Sequence, residues 1–136
     1  MVSLVSITPD TLDALTIVLD DVFDDPIMPE ALAAFVAQPN HRLIVALDGE
    51  TVVGQIRGMI LYQPDDNPQL YIDNLGVTPF YQRQGIATKL VIAMIDWGNS
   101  QNVAAHWVLT ESENTPARAL YTKLGLAQRS VQLFET

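Results

Sequence analysis

Hydrophobic and polar positions recur in two different periods along this chain, and the changes from one to the other mark out its elements. Residues 4–7 read as a short strand. Thr8, Pro9 and Asp10 supply cap and first-turn residues for a helix running to about Val22, in which Leu12, Leu15, Val18, Leu19 and Val22 recur at helical spacing. A second, shorter helix is predicted over residues 29–37, burying Leu32, Phe35 and Val36. Residues 43–47 and 52–62 are rich in β-branched and large apolar side chains, and Asp48, Gly49 and Glu50 between them form a hairpin turn. After the surface loop Pro64-Asp65-Asp66-Asn67-Pro68, a strand is predicted over 70–77 and a helix from Gly85 to about Asn99, with Ile86, Leu90, Ala93, Met94 and Trp97 on one face. A strand over 104–110, a short helix over 115–124 stopped at Gly125, and a last strand over 127–134 complete the pattern.

Strand, helix and strand in succession around Gly85 require a parallel crossover, so the fold class is mixed α/β rather than all-antiparallel. At 136 residues, with 49% hydrophobic side chains, the chain suits one domain over 1–136. No apolar run reaches the roughly 18 residues of a spanning helix, and the start lacks the basic residues of a secretory signal, so a cytoplasmic protein is expected. The absence of cysteine excludes disulfides, thiolate metal sites and cysteine nucleophiles.

The charge changes this picture more than the composition does. A net charge of −9 argues against nucleic acid and anionic membranes as partners. Residues 1–76 hold 12 acids and 2 bases (−10), whereas residues 77–136 hold 4 acids and 5 bases (+1). The second half can accept an anion. That half also contains Gln82-Arg83-Gln84-Gly85-Ile86-Ala87-Thr88, a turn that enters a helix without bulky side chains at Gly85 and Ala87. The first N–H groups of a helix lack partners within it and stand at its positive dipole end, so such a turn offers them to a phosphate.

About thirty residues later comes Glu113-Asn114-Thr115-Pro116-Ala117-Arg118-Ala119-Leu120-Tyr121-Thr122-Lys123-Leu124-Gly125. The two segments together resemble the GNAT acetyltransferase superfamily, over roughly residues 43–129. The resemblance implies a central, mostly antiparallel mixed sheet with one splayed parallel strand pair, flanked by about four helices. It further implies that Gln82, Arg83, Gln84, Gly85, Ile86 and Ala87, completed by Thr88, hold the pyrophosphate of acetyl-CoA. Leu75, Gly76 and Val77 would lie beside the thioester, Asn114 would bind the cofactor arm or substrate, and Tyr121 would protonate the departing thiolate. A thiol of pKa about 8.5 leaves more readily when a phenol of pKa about 10 can donate in the transition state, so a tyrosine suits the acid role.

The attacking amine must lose a proton, and Asp73 is the candidate to take it. By strand alternation it shares a side with Leu75, and an acid in an apolar strand is costly unless paired or functional. Its position is similar to that of an acidic residue in spermidine/spermine acetyltransferases. Within the superfamily the chain looks most like the aminoglycoside 3-N-acetyltransferases, with one departure. Where those have an acid just before the equivalent of Leu75, this chain has Asn74, and a one-residue shift reverses the face unless a bulge restores it.

The remaining chemical residues read more plainly. His106 is expected to be packed in its strand and His41 to lie at a turn, so the two do not form a metal site. Asp20, Asp21, Asp24 and Asp25 read as a solvated helix end that could gather a cationic acceptor. Arg83, Lys89 and Lys123 could meet phosphates or solvent, and Trp97 and Trp107 belong to the core. The expected function is transfer of acetyl from acetyl-CoA to a small cationic amine by direct attack in a ternary complex. The alternatives are an aminoglycoside 3-N-acetyltransferase and a non-catalytic acyl-CoA-binding module. The last strand after Gly125 leaves an edge that a second copy could cover to form a homodimer.

Overall fold

The strand-forming runs assemble into a single sheet in the computed structural model, which describes residues 1–136. Its strands are β1 (Val2–Ile7), β2 (Ile17–Val18), β3 (His41–Asp48), β4 (Thr51–Leu61), β5 (Gln69–Val77) and β6 (Ala105–Val108). The helices are α1 (Pro29–Val36), α2 (Ile86–Ser100) and α3 (Thr115–Lys123). The order across the sheet is β1-β3-β4-β5-β6, with β2 beside one end of β4. Neighbours are antiparallel except β2 with β4 and β5 with β6. The β3–β4 hairpin closes at Gly49, whose φ of 62° is open to glycine at little cost.

Each face of the sheet carries its own apolar cluster. On one face Ile44, Ile56, Ile60, Leu70 and Ile72 pack against Ile86, Leu90, Met94 and Trp97 of α2, and Leu120, Tyr121 and Leu124 of α3 join them. On the other, Leu43, Val45 and Val52 meet Ile7 and Val22, flanked by Leu32, Phe35 and Val36 of α1. Those three α1 side chains are partly rather than fully buried.

Two expected elements are absent, and three α-helices are present rather than four. The stretch from Thr8 to Val22 is not a helix. Thr8 N–H bonds the Thr11 hydroxyl at 2.7 Å and the Thr16 hydroxyl bonds the Asp13 carbonyl at 2.6 Å, so hydroxyl side chains divert the backbone into a single 3-10 turn, Leu12–Leu15. The β-branched pair Ile17 and Val18 then lies parallel to Thr51 and Val52. The residues after Gly125 form no strand. Val131, Leu133 and Phe134 stay exposed, so no burial holds that segment against the four-residue β6. No helix is long and apolar enough to cross a membrane.

Candidate active site

β5 carries the site because it is paired unevenly. On one side it pairs with β4 along most of its length, but β6 reaches only Gln69 to Ile72. From Asp73 to Val77 the β6-side edge is open. Opposite this opening β5 carries a bulge: Arg57 faces Asn74 and Gly58 faces Ile72, leaving Asp73 as the extra residue. The bulge resets the alternation. Leu70 and Ile72 before it, and Leu75 and Val77 after it, all meet the α2-face cluster. Asp73 therefore does not share a side with Leu75. It turns to the α1 face, where its Oδ2 accepts from Arg57 Nε at 2.5 Å. Asn74 turns there too, donating from Nδ2 to Asp24 Oδ2 at 3.0 Å.

That face holds a cavity of about 280 Å³, with Phe23, Asp24, Asp25, Met28, Phe35 and Arg57 among its lining residues. The expected solvated helix end is instead an irregular segment drawn across the sheet. Val22 is 1% exposed, and its carbonyl accepts from Gln55 Nε2 at 3.1 Å. Beside Asp73, Tyr71 stacks on Trp107 with ring centroids 4.4 Å apart. Burial pushes the Tyr71 phenol up, and the neighbouring Asp73 carboxylate adds to the rise.

After β5 the chain makes a 3-10 turn, Pro79–Tyr81, and then the loop into α2. The Tyr81 hydroxyl donates to Asp48 Oδ2 at 2.6 Å, tying this turn to the β3–β4 hairpin. That bond, ahead of desolvation, raises the Tyr81 pKa and keeps the donor protonated. Gln82 Nε2 bonds the Val77 carbonyl at 2.9 Å. Arg83 at φ 64° and Gly85 at φ 80° curl the loop, and nothing stands within 4 Å of where a Gly85 side chain would begin. Intrachain acceptance resumes only with Lys89 N–H on the Gly85 carbonyl. The N–H groups of Arg83, Gln84, Gly85, Ile86, Ala87 and Thr88 thus have no acceptor in the chain. An open run of unpaired donors at a helix N-terminus fits a pyrophosphate.

α3 supplies the remaining residues. Asn114 caps it, its Oδ1 accepting from Ala117 N–H at 3.2 Å, which leaves its NH₂ free for a ligand. The Tyr121 ring packs against the same cluster as Leu75 and Val77, and its hydroxyl makes no side-chain hydrogen bond within the chain. Burial pushes that phenol up from its ordinary value. His106 and Trp107 are half-buried, with Nε2 and Nε1 lacking partners, and Trp97 lies in the core. Arg83, Lys89 and Lys123 are exposed.

The sequence model of the acetyltransferase (GNAT) family matches residues 9–126. This chain belongs to the GNAT acetyltransferase family. The parallel β5–β6 pair inside an otherwise largely antiparallel sheet is the expected GNAT arrangement. Among its relatives are the N-alpha-acetyltransferase RimI of Mycobacterium tuberculosis, 29% identical over 76% of this chain and 63% of the relative, and the bS18-alanine N-acetyltransferase of Escherichia coli K12, 36% identical over 43% of this chain and 40% of the relative. The probable N-acetyltransferase HLS1 of Arabidopsis thaliana is 29% identical, and the match spans 26% of its length. The chain thus spans less than two thirds of each of these relatives. In fold it is similar to the aminoglycoside acetyltransferase meta-AAC0020 from an uncultured soil metagenomic sample, with TM-score 0.83, 21% identity, and 99% and 95% of the two chains covered. It is likewise similar to AAC(6')-Iy in complex with a CoA-acetylneamine bisubstrate analogue, with TM-score 0.82, 17% identity, and 100% and 97% covered.

Residues that the sequence reading passed over also shape the site. Gln55 stands as a polar residue in the apolar run Val52-Val53-Gly54-Gln55-Ile56, and that contrast was its available signal. Arg57, two residues on, shares its face, whereas Tyr81 carried no signal beyond its place before the loop.

Proposed function

We propose that this GNAT chain transfers the acetyl group of acetyl-CoA to a small cationic amine by direct attack in a ternary complex. The observation that carries the proposal is the open run of N–H groups from Arg83 to Thr88, which follows the strand β5 whose edge is unpaired beyond Ile72. Acetyl-CoA supplies an activated thioester. The loop donors, with Gln82, receive its pyrophosphate, and Leu75, Gly76 and Val77 offer their free main-chain edge to its arm and acetyl group. Asn114 offers its NH₂ to the same arm. The amine nitrogen bonds the acetyl carbon as the carbon–sulfur bond breaks. The sulfur takes the Tyr121 proton, and Asp73 accepts the proton that the amine gives up, directly or through a water.

On the acceptor side, Asp24 and Asp25 at the cavity favour a positive charge, while Phe23, Met28 and Phe35 favour an apolar body. Those two acids also support a narrower reading, in which the acceptor is an aminoglycoside. Incubation with acetyl-CoA and a panel of amines, read by thiol release, tests the function. A panel containing spermidine, kanamycin, gentamicin and an alanine-terminated peptide is expected to give CoA with at least one amine. Thermal protection by acetyl-CoA with no release on any amine would instead favour a binding module. Asp73→Asn is expected to lower kcat by about 10²-fold, in the range of general-base effects. An unchanged rate would remove Asp73 from the proton transfer.

A further inference from the structure

A chain of hydrogen bonds runs from inside the sheet to the acceptor cavity. Gln55 of β4 is fully buried, and its Nε2 donates both to the Val22 carbonyl and to Asn74 Oδ1, the latter at 2.6 Å. Both partners accept, which fixes the orientation of the Gln55 amide. Asn74 then presents its NH₂ outward, to Asp24 Oδ2. Donors therefore point along one line, from a rigid central strand to a single exposed carboxylate. Through the same line Gln55 holds the loop backbone at Val22 and orients the Asn74 side chain that fixes Asp24. Asp24 lines the cavity, and Asn74 immediately precedes Leu75 on the open stretch of β5.

The same amide carries an unsatisfied group. Gln55 Oε1 is buried with no donor in the chain. An unpaired buried acceptor is costly, so a donor from outside the chain, such as a bridging water, is expected there. Asp24, in turn, is tied through Oδ2 alone. The cavity thus holds one fixed carboxylate, tied through Oδ2 and open at Oδ1. An ammonium group brings that carboxylate both a positive charge and N–H donors for its free oxygen.

We propose that Asp24, positioned by Asn74 and Gln55, is the residue that anchors the ammonium group of the acceptor at the β5 opening. This deepens the acetyltransferase reading and rests on it for the location of the thioester. Asp24 and Asp73 flank Asn74, one through a hydrogen bond and the other through the chain. The first holds the amine, and the second is placed to receive its proton. Gln55 and Asn74 are positioning residues.

Calorimetric titration of spermidine and of kanamycin into the CoA-saturated protein reads anchoring without turnover. Asp24→Asn keeps the shape and removes the charge, and it is expected to weaken binding of the tighter amine about tenfold or more, as for a lost charged hydrogen bond. Asn74→Ala is expected to weaken it less. The double variant should then bind no more weakly than Asp24→Asn alone, because Asn74 acts through Asp24. CoA affinity and melting temperature should stay at wild-type values in Asp24→Asn, since the residue is exposed. Amine binding unchanged in Asp24→Asn overturns the proposal, as does a parallel loss of CoA affinity or failure of the wild type to bind either amine. A wild type that binds amine through Asp24 but releases no CoA upholds the anchor and refutes the transferase.

Discussion

Replacing Tyr121 by Phe is expected to lower kcat by about 10²-fold or more while leaving acetyl-CoA affinity within about twofold, the pattern of a group that acts only in the transition state. The reason lies in how α3 presents the residue. The ring is packed beside Leu120 and Leu124 in the α2-face cluster, and the hydroxyl makes no side-chain hydrogen bond within the chain. Its loss removes no intramolecular hydrogen bond, so stability should change by less than about 0.5 kcal/mol. The pH dependence has a definite sign. The acid form donates, and desolvation raises its pKa above the ordinary value of 10.0. Tyr121 thus stays protonated beyond the pH at which an exposed phenol ionises, and any loss of kcat through it falls above pH ~10. Steady-state kinetics with a thiol-detecting readout, from neutral pH into this range, check both points. An undiminished kcat in the Phe variant would reduce Tyr121 to a packing residue.

The loop that the proposal gives to the donor was legible in the sequence because its geometry is local. Gly85 sits at the junction where strand periodicity gives way to helical periodicity, and loop and helix lie within a few residues of each other. The acceptor half depends on pairing between distant segments. Nothing in Leu70-Tyr71-Ile72-Asp73-Asn74-Leu75 fixes which residue is extruded, since that depends on the match with Arg57 and Gly58 of β4. Simple alternation therefore put Asp73 beside Leu75, and the bulge turned it to the opposite face. The early helix failed for a related reason. Leu12, Leu15, Val18, Leu19 and Val22 all reach the α1-face core, as their spacing suggested. They do so from a turn, a two-residue strand and a bend at Asp21, where φ is 62°, because pairing with β4 replaces helical bonds. Periodicity reported which residues are buried and misreported the backbone that buries them.

The acceptor segment also makes Gly76→Ala the substitution with the largest expected structural effect. A Cβ at this position would stand 2.3 Å from the Val22 carbonyl oxygen and 3.2 Å from that of Asp21. Both obstacles are backbone, so no side-chain rotation relieves them. The strand is held on its other side by β4, where Gly76 pairs with Gln55, and the displacement falls on the loop. Moving Val22 outward would withdraw a buried side chain from the α1-face cluster and break the Gln55 bond to its carbonyl. Overpacking combined with partial loss of a buried valine is expected to cost about 2–4 kcal/mol, or roughly 5–15 °C in melting temperature for a chain of this size. CoA affinity should fall less than amine affinity, because the loop at Arg83 to Thr88 lies beyond the displaced segment while Gly76 borders only the arm. Amine affinity should fall with the shift of Asp24, which separates this variant from one that merely loosens the whole sheet. Thermal melting together with calorimetry of CoA and of the amine tests the assignment. A Gly76→Ala protein that melts like wild type and keeps its amine affinity would mean that the Asp21–Val22 backbone does not rest on β5 in solution.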